Sequence, residues 1–361
     1  MKEWADDNKF NSFNPWKGLL YAPQFELLAK GIVPVPIQAR IDPTLRCPLD
    51  CNWCNSARYR DGSKDELSLE HTTSTLAFLH EWGVQAVVWA GGGEPTAHPE
   101  FKEMLRYNAL MHMDAAILSN GVCSEDVAAE IGQLCRWAGI SVDAGSPDTY
   151  AATKGADAFY QVLDNIRIMA KQGKGCDVAY KFLISPDNHQ DIYEACKRAK
   201  AAGASSFVAR PMDTNHQGMT GEHDGFEKSS IRGINKALRQ CYGLESDTFR
   251  VYTVLHKFNA DLTSTHKFSQ CYGAPLRVHI APDGNVYFCD DQFYQEKYIL
   301  GRHFPRPQQI LEFWGGEHHK RLLFGNTPQK CNTRCCVSDH CTICEEVFVN
   351  ADADVLFRRY P

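Results

Sequence analysis

Three cysteines stand in the run Cys47-Pro-Leu-Asp-Cys51-Asn-Trp-Cys54, close enough for their thiolates to converge on one metal group. A four-iron cluster held by three thiolates keeps one iron without a protein ligand, and such an iron chelates a small molecule through an amine and a carboxylate. A zinc knuckle, or three unrelated cysteines, fits the triplet taken alone. About 40 residues on, Gly91-Gly92-Gly93-Glu94-Pro95-Thr96 follows the apolar run Ala86 to Ala90. Residues without side chains let backbone approach a ligand closely, and Glu94 with the loop carbonyls can accept from an ammonium group.

A second set of cysteines lies far downstream: Cys271, Cys289, Cys331, Cys335, Cys336, Cys341 and Cys344. Seven thiolates are one short of filling two four-iron clusters, so either two clusters share them with one site open or held by another group, or one cluster takes four. A single-cluster set would be Cys271, Cys289, Cys341 and Cys344; a zinc site would be Cys331, Cys335, Cys341 and Cys344. The remaining Cys123, Cys135, Cys176, Cys196 and Cys241 read as small core residues. The opening Met-Lys-Glu-Trp-Ala-Asp-Asp-Asn-Lys is polar with no apolar run behind it, so a soluble cytoplasmic protein without a membrane anchor is expected. A reducing cytosol gives fifteen cysteines little reason to pair as disulfides, which favours metal ligation. The net charge of -6 offers no general attraction for nucleic acid.

The elements that must position these residues come next. Between about 36 and 210, short apolar runs alternate with longer amphipathic ones, the pattern of repeated βα units on a parallel sheet. Six strands are expected, near Ile37 to Ile41, Ala86 to Ala90, Ala115 to Leu118, Ile140 to Asp143, Val178 to Ile184 and Ser206 to Ala209. Leu67 to Trp82 and Asp191 to Ala202 read as covering helices. Asp213 to Ser230 is polar and aperiodic, a loop or linker. Alternation on either side of Pro282-Asp283-Gly284 predicts a β-hairpin bracketed by cysteines. The first 35 residues read as a covering segment.

The triplet with Trp53 in its aromatic place, followed in order by the Gly-Gly-Glu loop, resembles the signature of the radical S-adenosylmethionine (radical SAM) superfamily. Cys271, twelve residues, Gly284, four residues and Cys289 resemble the opening of that superfamily's SPASM or twitch extension. The later cysteine run departs by one residue at two spacings and has an extra Cys336. The resemblance implies an α/β fold: a partial (β/α)6 TIM-like barrel over 36–211 after a covering segment 1–35. A linker and bridging helical region (212–265) and a smaller cysteine-rich α+β domain (266–361) follow. It implies that Cys47, Cys51 and Cys54 hold a SAM-cleaving 4Fe-4S cluster, that the downstream cysteines hold one or two auxiliary 4Fe-4S clusters, and that Gly91, Gly92, Gly93, Glu94 and Pro95 hold the SAM amino group, Glu94 being the central acceptor. Ser119, Asn120, Ser141, Asp143, Asn188 and Arg210 resemble the places that contact the rest of SAM. The implied activity is reductive cleavage of SAM to a 5'-deoxyadenosyl radical, fed by a flavodoxin or ferredoxin. Substrate class stays open among a small molecule, a nucleoside or nucleotide, and a peptide brought by a separate leader-binding protein; a non-catalytic iron-sulfur or zinc protein is the reading from another class.

Overall fold

The computed structural model describes residues 15–350 except 61, 62, 64, 173, 174, 213–225, 256–258, 263–265, 326–334 and 336, and gives backbone alone for 15–17. Short apolar runs form the strands β1 (Gln38–Ile41), β2 (Ala86–Trp89), β3 (Asp114–Ser119), β4 (Cys135–Ser141), β5 (Asp177–Ile184) and β6 (Ser206–Pro211). Each pairs in parallel with the next, and the amphipathic stretches between them are helices lying on the sheet. The segment Leu69–Trp82 shows why: Ser68 caps its first turn by accepting from the His71 N–H, Gly83 ends it at φ 98°, and Leu76 and Leu79 are buried in the core.

Three features depart from the expected layout. The fourth strand begins at Cys135 and ends at Ser141, with Asp143 beyond it at φ 58°. The helix Glu125–Leu134 runs into the strand without an intervening turn, so no punctuation marked the boundary. A seventh strand, β7 (Arg250–Thr253), pairs in parallel with β6 inside the stretch read as linker and bridging helices; four residues are too few to show a period. Residues Lys228 to Ser230, read as loop, belong to the helix Lys228–Tyr242; 226 and 227 are irregular as expected, and 213–225 lie outside the described residues.

The expected hairpin is present as β8 (Arg277–Ile280) and β9 (Asn285–Tyr287), with β10 (Ile299–Arg302) antiparallel to β9. It does not form a sheet of its own. Strand β8 pairs in parallel with β1, and the ten strands among the described residues make one sheet in the order β10-β9-β8-β1-β2-β3-β4-β5-β6-β7. The result is a partial α/β barrel whose first strand is shared with the cysteine-rich region. Near the amino terminus, the helix Ala22–Ala29 covers that region, its Phe25 ring 5.4 Å from Phe348. Of the scattered cysteines, Cys135, Cys196 and Cys241 are buried, and Cys123 and Cys176 partly so.

Candidate active site

The carboxyl ends of β1, β2 and β3 meet at one place, because parallel strands all present the same end to the same side. Beyond β1, residues Asp42 to Arg46 lead to Cys47; beyond β2 comes the glycine loop; at the end of β3 stand Ser119 and Asn120. The Glu94 N–H donates to the Arg46 carbonyl at 2.7 Å, and the Gly92 N–H donates to Asp42 Oδ2 at 3.1 Å. A Cβ on Gly93 would lie 2.3 Å from the Thr44 carbonyl oxygen and 2.5 Å from that of Arg46, far inside contact distance. The bare backbone expected to admit a ligand therefore admits protein at Gly93: it lets the segment that carries Cys47 lie against the Glu94 loop. Composition cannot distinguish the two uses of a glycine.

Glu94 is buried, and its carboxylate takes four hydrogen bonds. Oε1 accepts from the Thr96 N–H (3.1 Å), the Thr96 hydroxyl (2.8 Å) and the Ser119 hydroxyl (2.8 Å); among the described residues Oε2 accepts from the Asn120 N–H alone (2.7 Å). Burial pushes the Glu94 pKa up, and these bonds from Asn120, Ser119 and Thr96 hold it down. Oε2 thus keeps acceptor capacity for one further donor. The Asn120 side chain reaches toward Cys47 Sγ at 3.8 Å, tying the end of β3 to the cysteine loop. Ser119 and Asn120 act here as the anchors of Glu94.

The three triplet cysteines are partly buried and near one another: Cys54 acts electrostatically on both Cys47 and Cys51, and Cys47 on Cys51. Burial pushes the Cys47 thiol up and the Cys51 thiol up to about 11. Arg60 aims Nη2 at Cys54 Sγ from 3.5 Å. A partly buried trio of thiols with N–H donors at Cys47 and Cys54 fits a group that binds them as thiolates in place of their protons. Among the described residues no three His, Cys, Asp or Glu side chains are close enough to hold a single ion; a four-iron cube spaces its ligands more widely than one ion does.

Trp53 is 5 % exposed and packs at the cysteine loop, with Lys154 Nζ 5.5 Å from its ring centre. That ammonium bonds to Asp143 Oδ2 at 2.5 Å, and Asp143 Oδ1 accepts from the Leu183 N–H at 2.6 Å, so both oxygens of Asp143 already serve protein partners. Asn188 is similarly engaged: its amide donates to the carbonyls of Asp143 and Leu183 and its oxygen accepts from the Ser185 N–H. Ser141 is partly buried at the end of β4, and Arg210 is partly buried in β6 opposite Leu183. Pro95 opens the short turn after Glu94. Lys154 and Asp42 were missed in the sequence. Lys154-Gly155 reads as an ordinary helix end, where a cation and then a glycine are common; Asp42, a carboxylate directly after the strand and five residues before Cys47, was the readable signal.

Asp42 also joins the two halves of the sheet. Fully buried, it accepts from the Tyr294 hydroxyl at 3.0 Å and stands 3.3 Å from His279 Nε2 on β8. Arg277 on the same strand pairs with Asp290 at 2.8 Å, next to Cys289. Cys271, Cys335, Cys341 and Cys344 are buried and Cys289 partly so. Cys271 hydrogen-bonds to Cys341, with Cys335 near enough to act on Cys341 electrostatically. Cys344 instead directs its thiol to the Phe25 carbonyl at 3.9 Å. Cys331 and Cys336 lie outside the described residues.

The model of the radical SAM superfamily matches residues 41–199, and that of the iron-sulfur cluster-binding SPASM domain matches 271–355. The chain is 26% identical over 181 residues to the antilisterial bacteriocin subtilosin biosynthesis protein AlbA of Bacillus subtilis, covering 48% of this chain and 39% of that protein. It is 27% identical over 179 residues to the mycofactocin maturase MftC of Mycobacterium ulcerans, covering 48% and 47%. The chain thus spans about half the length, or less, of these relatives. Streptococcus suis SuiB bound to precursor peptide SuiA shares the fold, with a TM-score of 0.60 at 14% identity over 88% of this chain and 74% of that one. Two family matches in order, over a partial barrel whose first strands bring the cysteine triplet to the glycine loop, have one consequence: the chain belongs to the radical SAM superfamily and carries a SPASM iron-sulfur cluster-binding domain.

Proposed function

We propose that this protein is a radical SAM enzyme acting on a peptide. The observation that carries the reading is the meeting of Cys47, Cys51 and Cys54 with a buried Glu94 whose Oε2 has acceptor capacity to spare. A four-iron cluster held by Cys47, Cys51 and Cys54 would supply one electron to SAM, breaking its sulfonium C–S bond to release methionine and leave a 5'-deoxyadenosyl radical that takes a hydrogen from the substrate. The chain's own residues do the rest. Glu94 and the carbonyls of Gly91, Gly92 and Gly93 accept from the SAM ammonium; Ser119 and Asn120 hold Glu94 in place; Ser141, Asn188 and Arg210 border the far end of the ligand. Burial of this floor keeps water from the reacting atoms. The downstream cysteines would hold auxiliary clusters able to accept an electron from the substrate, and a flavodoxin or ferredoxin would supply the electron that reduces the enzyme.

The peptide reading rests on the relatives: a bacteriocin biosynthesis protein, a maturase, and a structure bound to a precursor peptide. No helix among the described residues is long and apolar enough to cross a membrane. The test is 5'-deoxyadenosine formation with dithionite and SAM in anaerobically reconstituted protein. Cys51→Ala abolishes it, whereas Cys335→Ala leaves this uncoupled cleavage measurable. Equal loss in two folded variants refutes the division of labour between the two cysteine sets.

A further inference from the structure

The interior holds a cation whose position the proposed chemistry leaves unexplained. Lys154 is 3 % exposed, and burying an ammonium costs several kcal/mol unless it is well partnered. Its partner, Asp143, is itself held outside the ordinary backbone regions, at φ 58°. A methionine or leucine at 154 would fill similar space without that cost. The pair is also fastened to the cysteine loop. The N–H of Asp50 donates to the Lys154 carbonyl and that of Asn52 to the Thr153 carbonyl, each at 3.2 Å, and these two residues flank Cys51. Gly155 ends the helix at φ 68°, where a Cβ would lie 2.9 Å from the Asp50 carbonyl oxygen. The helix end is therefore held directly against the cysteine loop. The ammonium lies over Trp53, between Cys51 and Cys54 in sequence.

From this geometry we infer that Lys154 is a positioning residue for the reduction potential of the Cys47, Cys51, Cys54 cluster, a fixed cation that favours the reduced state. The inference rests on the proposed function, in that this triplet must hold the cluster. On reduction the cluster gains one electron from a one-electron donor, the donor is oxidised, and the site becomes more negative by one charge. A buried cation nearby favours that change, because the interior screens it weakly. Asp143 opposes it, but the ammonium is the end that lies over Trp53 in the cysteine loop while Asp143 Oδ1 is turned to the Leu183 N–H on β5, so the pair acts on the cluster as a dipole with its positive end inward. Asp143 in turn fixes where the ammonium stands.

The experiment is a redox titration of the full-length, cluster-loaded protein against dithionite, followed by electron paramagnetic resonance. The relevant signal is the one missing from Cys51→Ala. Lys154→Met shifts the midpoint of that signal to more negative potential, and Lys154→Arg restores it toward the wild-type value. Because Lys154→Met strands a buried carboxylate, the double variant Lys154→Met, Asp143→Asn provides a neutral pair, with a midpoint between those of wild type and Lys154→Met. A midpoint unchanged in the double variant overturns the inference, as does loss of the cluster signal there, which makes the pair a structural support alone. Absence of any Cys51-dependent signal in the wild-type protein refutes the proposed function instead, so the two failures are distinguishable.

Discussion

Replacing Glu94 with glutamine tests the site most directly, because the side chain keeps its shape and loses only its charge and one acceptor. Oε1 serves three donors and Oε2 one, so the variant amide keeps its oxygen at the Oε1 position. Its NH2 group then points at the Asn120 N–H, two donors face to face where a 2.7 Å hydrogen bond stood. A hydrogen bond to a charged group contributes about 1.5–3 kcal/mol. Stability falls by somewhat less than that, since removing a carboxylate from a buried position relieves its own desolvation. For SAM the loss is uncompensated: the acceptor for the ammonium is gone and a donor occupies its place. The same range of about 1.5–3 kcal/mol corresponds to roughly 10- to 150-fold weaker binding. Equilibrium dialysis of SAM against anaerobically reconstituted, oxidised protein measures this without turnover. A Glu94→Gln protein that stays folded and binds SAM within about threefold of wild type refutes the assignment of Oε2 to the ammonium.

Three other outcomes are expected. Gly93→Ala forces a methyl group into the Thr44 and Arg46 carbonyls, so it costs at least the 1–3 kcal/mol typical of overpacking and lowers the urea midpoint, with reduced iron retention because the Cys47 segment must move. An unchanged midpoint refutes the close approach. The buried imidazoles His71 and His303 share a 2.8 Å hydrogen bond, and His303 Nε2 donates to the Ala281 carbonyl, so His303 Nδ1 is the acceptor and both rings are neutral. Burial pushes the His303 pKa down to about 4, below its unfolded value of about 6.5. The unfolded chain binds the extra proton in that window, so stability is full above about pH 6.5 and falls by roughly 3 kcal/mol as pH drops toward 4. Urea unfolding of wild type against His303→Asn across that range checks the sign, and parallel slopes refute it. Finally, iron and sulfide analysis of reconstituted protein gives more than about four irons per chain; four would leave no auxiliary cluster.

Much of the site was legible because its chemistry is local in sequence. Three thiols within eight positions, and three glycines before a glutamate, announce their use without any knowledge of the fold. Partners that lie far along the chain were not legible. The role of Ser119 and Asn120 as anchors of Glu94 depends on β3 lying beside β2, and the pairing of Lys154 with Asp143 depends on a helix returning over the end of β4. Nothing in the composition around Lys154 separates it from a solvated helix end.

The amino-acid sequence alone determined the alternation of strands and helices, the hairpin at Pro282-Asp283-Gly284, and the order of the cysteine triplet and Glu94 loop, since periodicity, turn chemistry and ligand spacing act over a few residues. Tertiary structure alone decided that β8 lies in parallel beside β1, that β7 extends the sheet, and that Asp42 joins the glycine loop to His279 and Tyr294. Such contacts arise from burying one sheet face against another segment's side chains. Residues 42 and 294 meet because the whole core closes correctly, and no short stretch of sequence carries that outcome.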